Sequence, residues 1–245
     1  MPALTRAASV IAHRGASAYR PEHTLDAYDC ALAMGADRLE LDVRSAADGT
    51  LVVLHDATLA RTAGDLRPVA GLTSADLLAL DPARRPLTLD EVLGRYGADA
   101  AYLIEVKDPR PGDAELVAGA LARHGVAGRA GVQSFDRAVL HALRAVDPSV
   151  PLALLYRESW RPADVRGDLA GVAGWAAAIA PAAVSVDAPL VLAAHRLGLT
   201  VQVWTVNDEA EMDRLLALGV DALITDVPDR ARAQVDGVAA LALAA

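Results

Sequence analysis

The sequence has few of the features that mark secreted or membrane-bound proteins. Its 245 residues include one cysteine, Cys30, which excludes a disulfide within the chain and fits a reducing compartment. The first residues lack the apolar core of a secretory signal. No apolar run reaches the roughly 20 residues that span a bilayer. We therefore predict a cytoplasmic protein without stable membrane association.

Positive charge is also scarce. The chain has 23 Lys and Arg residues against 32 Asp and Glu residues, a formal net charge of −9, and its basic residues form no cluster. Because binding to a phosphate backbone needs a concentrated basic face, we expect no nucleic-acid partner. A small anionic substrate stays compatible with this charge, since a cation and a few basic side chains can make one site locally positive.

Apolar residues, in contrast, make up 53% of the chain and recur in short runs. Near-continuous apolar runs are typical of strands buried on both faces, and helical patterns separate most of them. Eight such units in one domain favour an α/β fold, a TIM (β/α)8 barrel, over a doubly wound open sheet. The predicted strands are residues 9–12, 38–43, 101–106, 131–134, 152–155, 183–186, 201–204 and 222–225.

Two segments interrupt this repeat after the second strand. A turn signal, Ala47-Asp48-Gly49-Thr50, joins the strand to another apolar run over residues 51–54, which predicts a hairpin. Residues 57–87 are rich in Arg, Pro and Gly and end at a helix start, Thr88. Long loops are commonly functional lids, so we predict that residues 57–87 form a small insertion over the barrel mouth.

Acidic residues stand at the carboxyl ends of the strands, where barrel enzymes carry their reactive groups. Glu40 and Asp42 are two apart on one strand, so both carboxylates point into the barrel, and Glu105 lies near the end of the next strand. Burying carboxylates is costly. Three of them without clustered His or Cys favour one divalent hard cation, Ca²⁺ or Mg²⁺. The alternative is ion pairing with neighbouring arginines, namely Arg14, Arg38 or Arg44.

Two histidines complete this pattern. His13 follows the first strand and His55 follows the hairpin strand. The ordinary pKa of imidazole is about 6.5, so one ring can accept a proton and the other can release one near neutral pH. We predict that they are the general acid and base. Trp204, at the end of the seventh strand, either contacts the substrate or packs in the core.

Besides Cys30, three residue types occur once, and each of these falls among these polar positions. Lys107, Phe135 and Asn207 are the only lysine, phenylalanine and asparagine of the chain. Because arginine serves everywhere else, a retained lysine indicates a need for a compact ammonium beside a phosphate oxygen or a carboxylate-bound metal.

Taken in order, these residues form motifs by which the chain resembles the glycerophosphodiester phosphodiesterases. The resemblance runs nearly end to end, and the ordered set is far more specific than any one motif. It implies a TIM-barrel enzyme that hydrolyses glycerophosphodiesters to sn-glycerol 3-phosphate and an alcohol. The motifs are His13-Arg14-Gly15, Pro21-Glu22-His23-Thr24, Glu40-Leu41-Asp42-Val43, His55-Asp56 with Leu59 and Arg61-Thr62, Glu105-Val106-Lys107, Gln133-Ser134-Phe135-Asp136, Trp204-Thr205-Val206-Asn207 and Ile224-Thr225-Asp226-Val227-Pro228.

The resemblance also implies roles for single residues, which agree with the metal and acid–base roles inferred above. In the family's scheme the metal and basic groups hold the phosphate while the histidines transfer protons. Carried over to this chain, the expected roles are cation binding by Glu40, Asp42 and Glu105, acid–base catalysis by His13 and His55, substrate binding by Arg14, Lys107, Trp204 and Phe135, and support by Glu22 and Asn207.

One position departs from the family pattern, which usually reads Glu-Asn-Thr where this chain has Glu22-His23-Thr24. Two interpretations are open. An imidazole near the site changes the hydrogen bonding and adds a titratable group, which lowers activity or makes it more sensitive to acid. Alternatively, position 23 only caps the helix that begins near Thr24.

Two other functions stay open on the sequence. A sphingomyelinase D-like lipid phosphodiesterase has a related constellation but acts on membranes. A barrel that binds phosphodiesters without cleaving them is the other, and the full set of histidines and carboxylates argues against it. The expected partner is therefore a small-molecule glycerophosphodiester.

Overall fold

Eight parallel strands close into a barrel in the computed structural model, which describes residues 7–244. The first strand pairs with both its successor and the last strand, so the predicted TIM (β/α)8 barrel is confirmed. The prediction that the first residues form no secretory signal falls partly on residues 1–6, which lie outside the described residues. The strands are β1 (Ser9–Ala12), β2 (Arg38–Ser45), β3 (Leu51–Val53), β4 (Thr58–Leu59), β5 (Asp65–Pro68), β6 (Tyr102–Val106), β7 (Ala130–Ser134), β8 (Leu152–Tyr156), β9 (Ala178–Pro181), β10 (Thr200–Val203) and β11 (Ala222–Thr225), of which β3, β4 and β5 lie outside the barrel.

Helices follow most of the barrel strands and bury their apolar residues against the outer face of the sheet. Capping residues set where several of them begin: Thr24 caps α1, and Thr88 forms a capping box with Glu91 at α4, as the predicted helix start requires. The helices are α1 (Leu25–Ala33), α2 (Ala60–Ala63), α3 (Ser74–Leu78), α4 (Leu89–Tyr96), α5 (Asp113–Arg123), α6 (Arg137–Val146), α7 (Pro162–Val172), α8 (Ala188–Arg196), α9 (Glu209–Leu218) and α10 (Pro228–Ala244).

The predicted sixth strand was wrong in position. Residues 183–185 form a 3-10 turn, and the barrel strand is β9, which ends at Pro181. The β-branched residues Val184 and Val186 suggested a strand, but Val184 is 71% exposed. The alanine-rich run of β9 has little β-propensity of its own, and its pairing with β8 and β10 inside a closed sheet decides its structure.

The segment between β2 and α4 has its own small core. The predicted hairpin is confirmed, since β3 pairs antiparallel with the end of β2. Beyond it, β4 and β5 pair with each other, and α2 and α3 complete the segment. Their apolar side chains pack together with one face of β3, in a cluster of Ala46, Val52, Leu54, Leu59, Val69, Leu72 and Leu77. Residues 57–87 are therefore folded onto the barrel and contain regular structure.

The barrel interior is layered. At one level, small and branched side chains fill it, with Ile11, Leu103 and Ile224 in contact and Trp204 packed against them. Toward the carboxyl ends of the strands the side chains become acidic. Asp42 on β2 pairs in register with Glu105 on β6, so that their carboxylates stand side by side above the apolar layer.

Candidate active site

Three carboxylates meet inside the mouth of the barrel. Oxygen atoms of Glu40, Asp42 and Glu105 all lie within 4.8 Å of one another. The three residues are 1%, 0% and 8% exposed, respectively. The strand register that places them follows from the alternation of side chains along β2 and the parallel pairing with β6. The structure thus brings together the three residues that the sequence predicts as metal ligands.

The environment separates the proton affinities of these carboxyl groups. Burial, together with the charge of Asp42, raises the pKa of Glu105 to about 7 and raises the pKa of Glu40 well above its ordinary value. The pKa of Asp42 is lowered, because the hydrogen bond from His23 and the nearby cations outweigh its burial. Without added positive charge, the cluster therefore keeps part of its protons near neutral pH.

The donor set fits a hard divalent cation. All three residues offer carboxylate oxygens, the preferred ligands of Ca²⁺ and Mg²⁺. Oδ1 of Asp42 is buried and makes no hydrogen bond, although Nζ of Lys107 lies 3.2 Å away. A buried oxygen without a hydrogen bond is costly unless positive charge offsets it. A cation at this place would relieve both the unsatisfied oxygen and the repulsion between the carboxylates.

Two basic side chains border the cluster. Nζ of Lys107 lies 2.7 Å from Oε1 of Glu105 and 3.2 Å from Oδ1 of Asp42. Nε of Arg14 lies 3.2 Å from Oδ2 of Asp42, and its backbone N–H donates to Glu40. Arg44 pairs instead with Asp108. The alternative to metal binding was ion pairing with arginine. Of the arginines named, Arg14 forms such a pair with Asp42.

His13 is held by a carboxylate that follows the last barrel strand. Its Nδ1 lies 2.7 Å from Oδ1 of Asp226, which also accepts a hydrogen bond from Ser17. Oδ1 of Asn207 accepts a hydrogen bond from the backbone N–H of Asp226 at 2.8 Å, and Nδ2 of Asn207 donates to Oδ2 of Asp226 at 2.6 Å. Although burial opposes it, the hydrogen bonds from His13 and Ser17 lower the pKa of Asp226 to about 2. The carboxylate is therefore ionised and orients the ring.

His55 has the same kind of partner. Its Nδ1 lies 2.8 Å from Oδ1 of Asp56, and Oδ2 of Asp56 accepts a hydrogen bond from Nε of Arg61 at 2.8 Å. The hydrogen bond from Arg61 and then that from His55 lower the pKa of Asp56 to about 2. Partial burial lowers the pKa of His55, with help from the positive charges of Lys107 and Arg14. His55 is therefore neutral at pH 7 and able to accept a proton.

His23 lies inside the site, so the interpretation that it only caps a helix is wrong. Thr24 is the cap of α1. His23 is 6% exposed, and its Nε2 lies 3.0 Å from Oδ2 of Asp42. Burial lowers its pKa more strongly than Asp42 raises it. The other interpretation, an imidazole that takes part in the hydrogen bonding of the site, agrees with its position.

The remaining predicted residues border the same region. Phe135 and Trp204 stack edge to face with ring centroids 5.7 Å apart, and Nε1 of Trp204 donates to the carbonyl of Ala180. Glu22 accepts from Arg61 at 2.7 Å and lies 3.4 Å from Arg14. A cleft of about 900 Å³ is lined by His55, Lys107 and Phe135 and reaches Glu105 of the cluster.

Sequence reasoning missed the residues that hold the predicted ones. Asp226 and Asp56 fall within the recognised motifs, and the signal for them was an acidic residue directly after a strand or beside a histidine. Gln133, 3.4 Å from Oε1 of Glu40, lies inside the barrel as the neighbour of Glu105 in the register of β7. The hydroxyl of Tyr28 lies 2.8 Å from Nδ1 of His23. Nothing in the sequence indicated this contact, because a tyrosine on a helix is typical of a core residue.

Backbone strain is concentrated beside the cluster. Within the described residues, the non-glycine residues with positive φ are Arg14 at 59°, His23 at 56° and Asp108 at 43°. Each contacts the cluster or follows one of its strands. Left-handed backbone is uncommon outside glycine and persists where the surrounding structure enforces it, often at functional sites.

Fold and site together define an α/β barrel with two aspartate-held histidines and three buried carboxylates at the carboxyl ends of its strands. The chain matches the model of the glycerophosphoryl diester phosphodiesterase family over residues 13–230, and it belongs to that family. It hydrolyses glycerophosphodiesters to sn-glycerol 3-phosphate and an alcohol, as the resemblance implied.

Relatives of known name cover nearly the whole chain. The glycerophosphodiester phosphodiesterase of Bacillus subtilis (strain 168) is 33% identical over 244 residues, which are 89% of this chain and 83% of the relative. The crystal structure of the Agrobacterium tumefaciens str. C58 enzyme is 28% identical with a TM-score of 0.77, covering 92% of this chain and 99% of that one. An Oleispira antarctica phosphodiesterase in complex with the product sn-glycerol-3-phosphate is 25% identical with a TM-score of 0.78, over 93% of this chain and 96% of that one.

Between residues 7 and 244, none of the helices combines the length and apolarity needed to cross a bilayer.

Asp226→Asn tests how His13 is held. An amide can donate to Nδ1 and so favour the wrong tautomer of the ring, as happens when a triad aspartate is replaced. We expect kcat for glycerophosphodiester hydrolysis to fall roughly 10²–10⁴-fold, the range of a general acid–base group. Asp90→Asn is the control, because Asp90 makes a similar 2.8 Å contact with His124 on an exposed part of α4. Equal activities of the two variants would contradict this role.

The raised pKa of Glu105 predicts how metal-free stability changes with pH. The folded protein holds the Glu105 proton up to a pKa of about 7, while the unfolded chain releases it near 4.5. The free energy of unfolding should therefore fall as pH rises from 4.5 to 7, relative to Glu105→Gln, which cannot titrate. Urea denaturation of both proteins in EDTA measures this difference. A difference independent of pH would show that Glu105 is not perturbed.

Proposed function

We propose that the hydrolysis takes place at Glu40, Asp42 and Glu105 with one bound divalent cation, Ca²⁺ or Mg²⁺, and that His13 and His55 transfer the protons. The observation that carries this proposal is that an aspartate holds each of the two histidines in the same way. Each has Nδ1 within 2.8 Å of a carboxylate, which leaves Nε2 as the ring nitrogen for proton transfer, and Nε2 of His13 accepts from Nε of Arg14 at 3.2 Å. Each follows a strand that pairs with β2, the strand of Glu40 and Asp42.

The three carboxylates would hold the cation. When bound, it supplies positive charge that offsets the charge developing on the phosphate oxygens. Arg14 and Lys107 supply further positive charge from the protein itself. Both now contact the carboxylates, and both can donate to a phosphate oxygen from the same positions. Glu22 positions this edge of the site through its contacts with Arg14 and Arg61.

The two rings divide the proton transfers between them. One imidazole accepts through Nε2 the proton of the attacking oxygen, that of water or of the substrate's own 2-hydroxyl, as the new P–O bond forms. The other donates a proton to the alcohol oxygen as its P–O bond breaks. Attack by the 2-hydroxyl would give a cyclic phosphate, which water then opens to sn-glycerol 3-phosphate. Asp226 and Asp56 stay ionised and stabilise whichever ring is positively charged. Asn207 supports His13 indirectly, because it fixes Asp226 by two hydrogen bonds.

The organic part of the substrate would lie along the cleft beside Phe135 and Trp204. Their edge-to-face pair gives a firm apolar wall next to polar groups. Residues 57–87 would form a second wall as the insertion over the mouth. Arg61 and residues 83–86 of this segment line a pocket of about 320 Å³ together with Glu22 and His23.

Family membership favours a soluble-type glycerophosphodiester as the substrate over a membrane sphingolipid or a ligand bound without turnover. A cytoplasmic location stays a prediction that rests on the single cysteine.

Three alanine variants separate acid–base catalysis from cation binding. His13→Ala and His55→Ala should each lower kcat about 10²–10⁴-fold and leave Ca²⁺ or Mg²⁺ binding intact. Glu40→Ala should lose both activity and cation binding. The measurements are release of sn-glycerol 3-phosphate from glycerophosphocholine and calorimetric titration with the cation.

His195→Ala serves as the control for the histidine variants. His195 also has an aspartate partner, Asp221 at 2.8 Å, but lies on α8 with 40% of its side chain exposed. Its removal should leave turnover unchanged. Full activity of His55→Ala would show that the assigned proton-transfer pair is wrong.

A further inference from the structure

The two oxygens of Asp42 differ in their surroundings. Oδ2 lies 3.0 Å from Nε2 of His23 and 3.2 Å from Nε of Arg14. Oδ1 has no hydrogen-bond donor, although Nζ of Lys107 lies 3.2 Å away. Asp42 is fully buried, so both oxygens depend on groups within the site. Oδ2 is therefore held by two side chains, whereas Oδ1 has the Lys107 ammonium beside it without a hydrogen bond and is the less engaged of the two.

His23 is fixed at both ring nitrogens. A carboxylate oxygen accepts hydrogen bonds, so Nε2 must carry the proton that it shares with Asp42. On the other side of the ring, Nδ1 lies 2.8 Å from the hydroxyl of Tyr28. With the ring neutral, this hydroxyl donates to Nδ1 and selects the tautomer that Asp42 requires.

Tyr28 is itself held firmly. It is fully buried on α1 and stacks edge to face on Tyr96 of α4, with ring centroids 6.2 Å apart. The hydroxyl of Tyr96 donates back to α1, at the carboxylate of Asp29 2.8 Å away, and lies 3.1 Å from the carbonyl of Leu25. Two helices outside the barrel thus define the position of the His23 ring.

The backbone of His23 supports the same placement. Its N–H donates to the carbonyl of Arg14 at 3.0 Å, and its φ is 56°. Asn and His are both enriched at such left-handed positions. A histidine is therefore compatible with the left-handed backbone at position 23, from which its side chain reaches Asp42.

We propose that His23 is a positioning residue that, held by Tyr28, binds Oδ2 of Asp42 and leaves Oδ1 as the atom that ligates the cation. The inference rests on the proposed function, which places a cation at this cluster. Partners of metal ligands act in this way in other sites, and their loss typically weakens metal binding 10- to 100-fold.

Calorimetric titration of the metal-free full-length protein with Ca²⁺ and with Mg²⁺ tests the proposal, using His23→Gln and His23→Met as a matched pair. The two side chains are unbranched and of similar length, and both lack the preference of histidine for left-handed backbone. Gln can present an amide N–H to Oδ2, whereas Met has no donor. We expect Gln to stay within a few-fold of the wild-type Kd and Met to bind roughly 10- to 100-fold more weakly.

The outcomes separate this inference from the function on which it rests. Equal affinities of the Gln and Met variants, with normal binding by the wild type, would overturn the role of His23 alone. Absence of binding by the wild type would overturn the cation site and the inference together. If the Met variant does not fold, Tyr28→Phe decides. Loss of its hydroxyl should weaken binding roughly fivefold, the effect of one hydrogen bond, and an unchanged Kd would overturn the proposal.

Discussion

Three carboxylates buried together inside a closed barrel form the constraint on which this site depends. Burial and mutual repulsion oppose their ionisation, as the raised pKa values of Glu40 and Glu105 show. The groups around them are those that reduce this cost: Arg14, Lys107 and His23. The left-handed backbone at Arg14 and His23 follows from the need to bring these groups to the cluster.

Closure of the barrel supplies the rest of the site. β1 pairs with β11, which brings Asp226 to His13 although 213 residues separate them in the sequence. The short hairpin after β2 returns His55 to the same mouth with its partner Asp56 beside it. Two histidines on unrelated segments thereby acquire the same support, an ionised aspartate at Nδ1. The carboxylate cluster belongs to the strands, while the two histidines belong to the turns that follow them.

The fold and the polar residues at the strand ends could be predicted because both depend on local pattern. Strands buried on both faces are apolar, and Glu40 and Asp42 interrupt such a run with a spacing of two. The position of β9 could not be predicted, because its alanines become a strand only through pairing within the closed sheet. For a related reason the sequence left two interpretations of His23 open. Its partners Asp42 and Tyr28 lie on other elements, and no local pattern reports a contact between elements.

Release of sn-glycerol 3-phosphate from glycerophosphocholine, measured with EDTA-treated protein before and after addition of Ca²⁺ or Mg²⁺, tests the central claim most directly. The buried carboxylates are expected to need a divalent cation for catalysis. The account predicts little product in EDTA and recovery of turnover with one of the two cations. Full turnover by protein shown to be free of metal would contradict it.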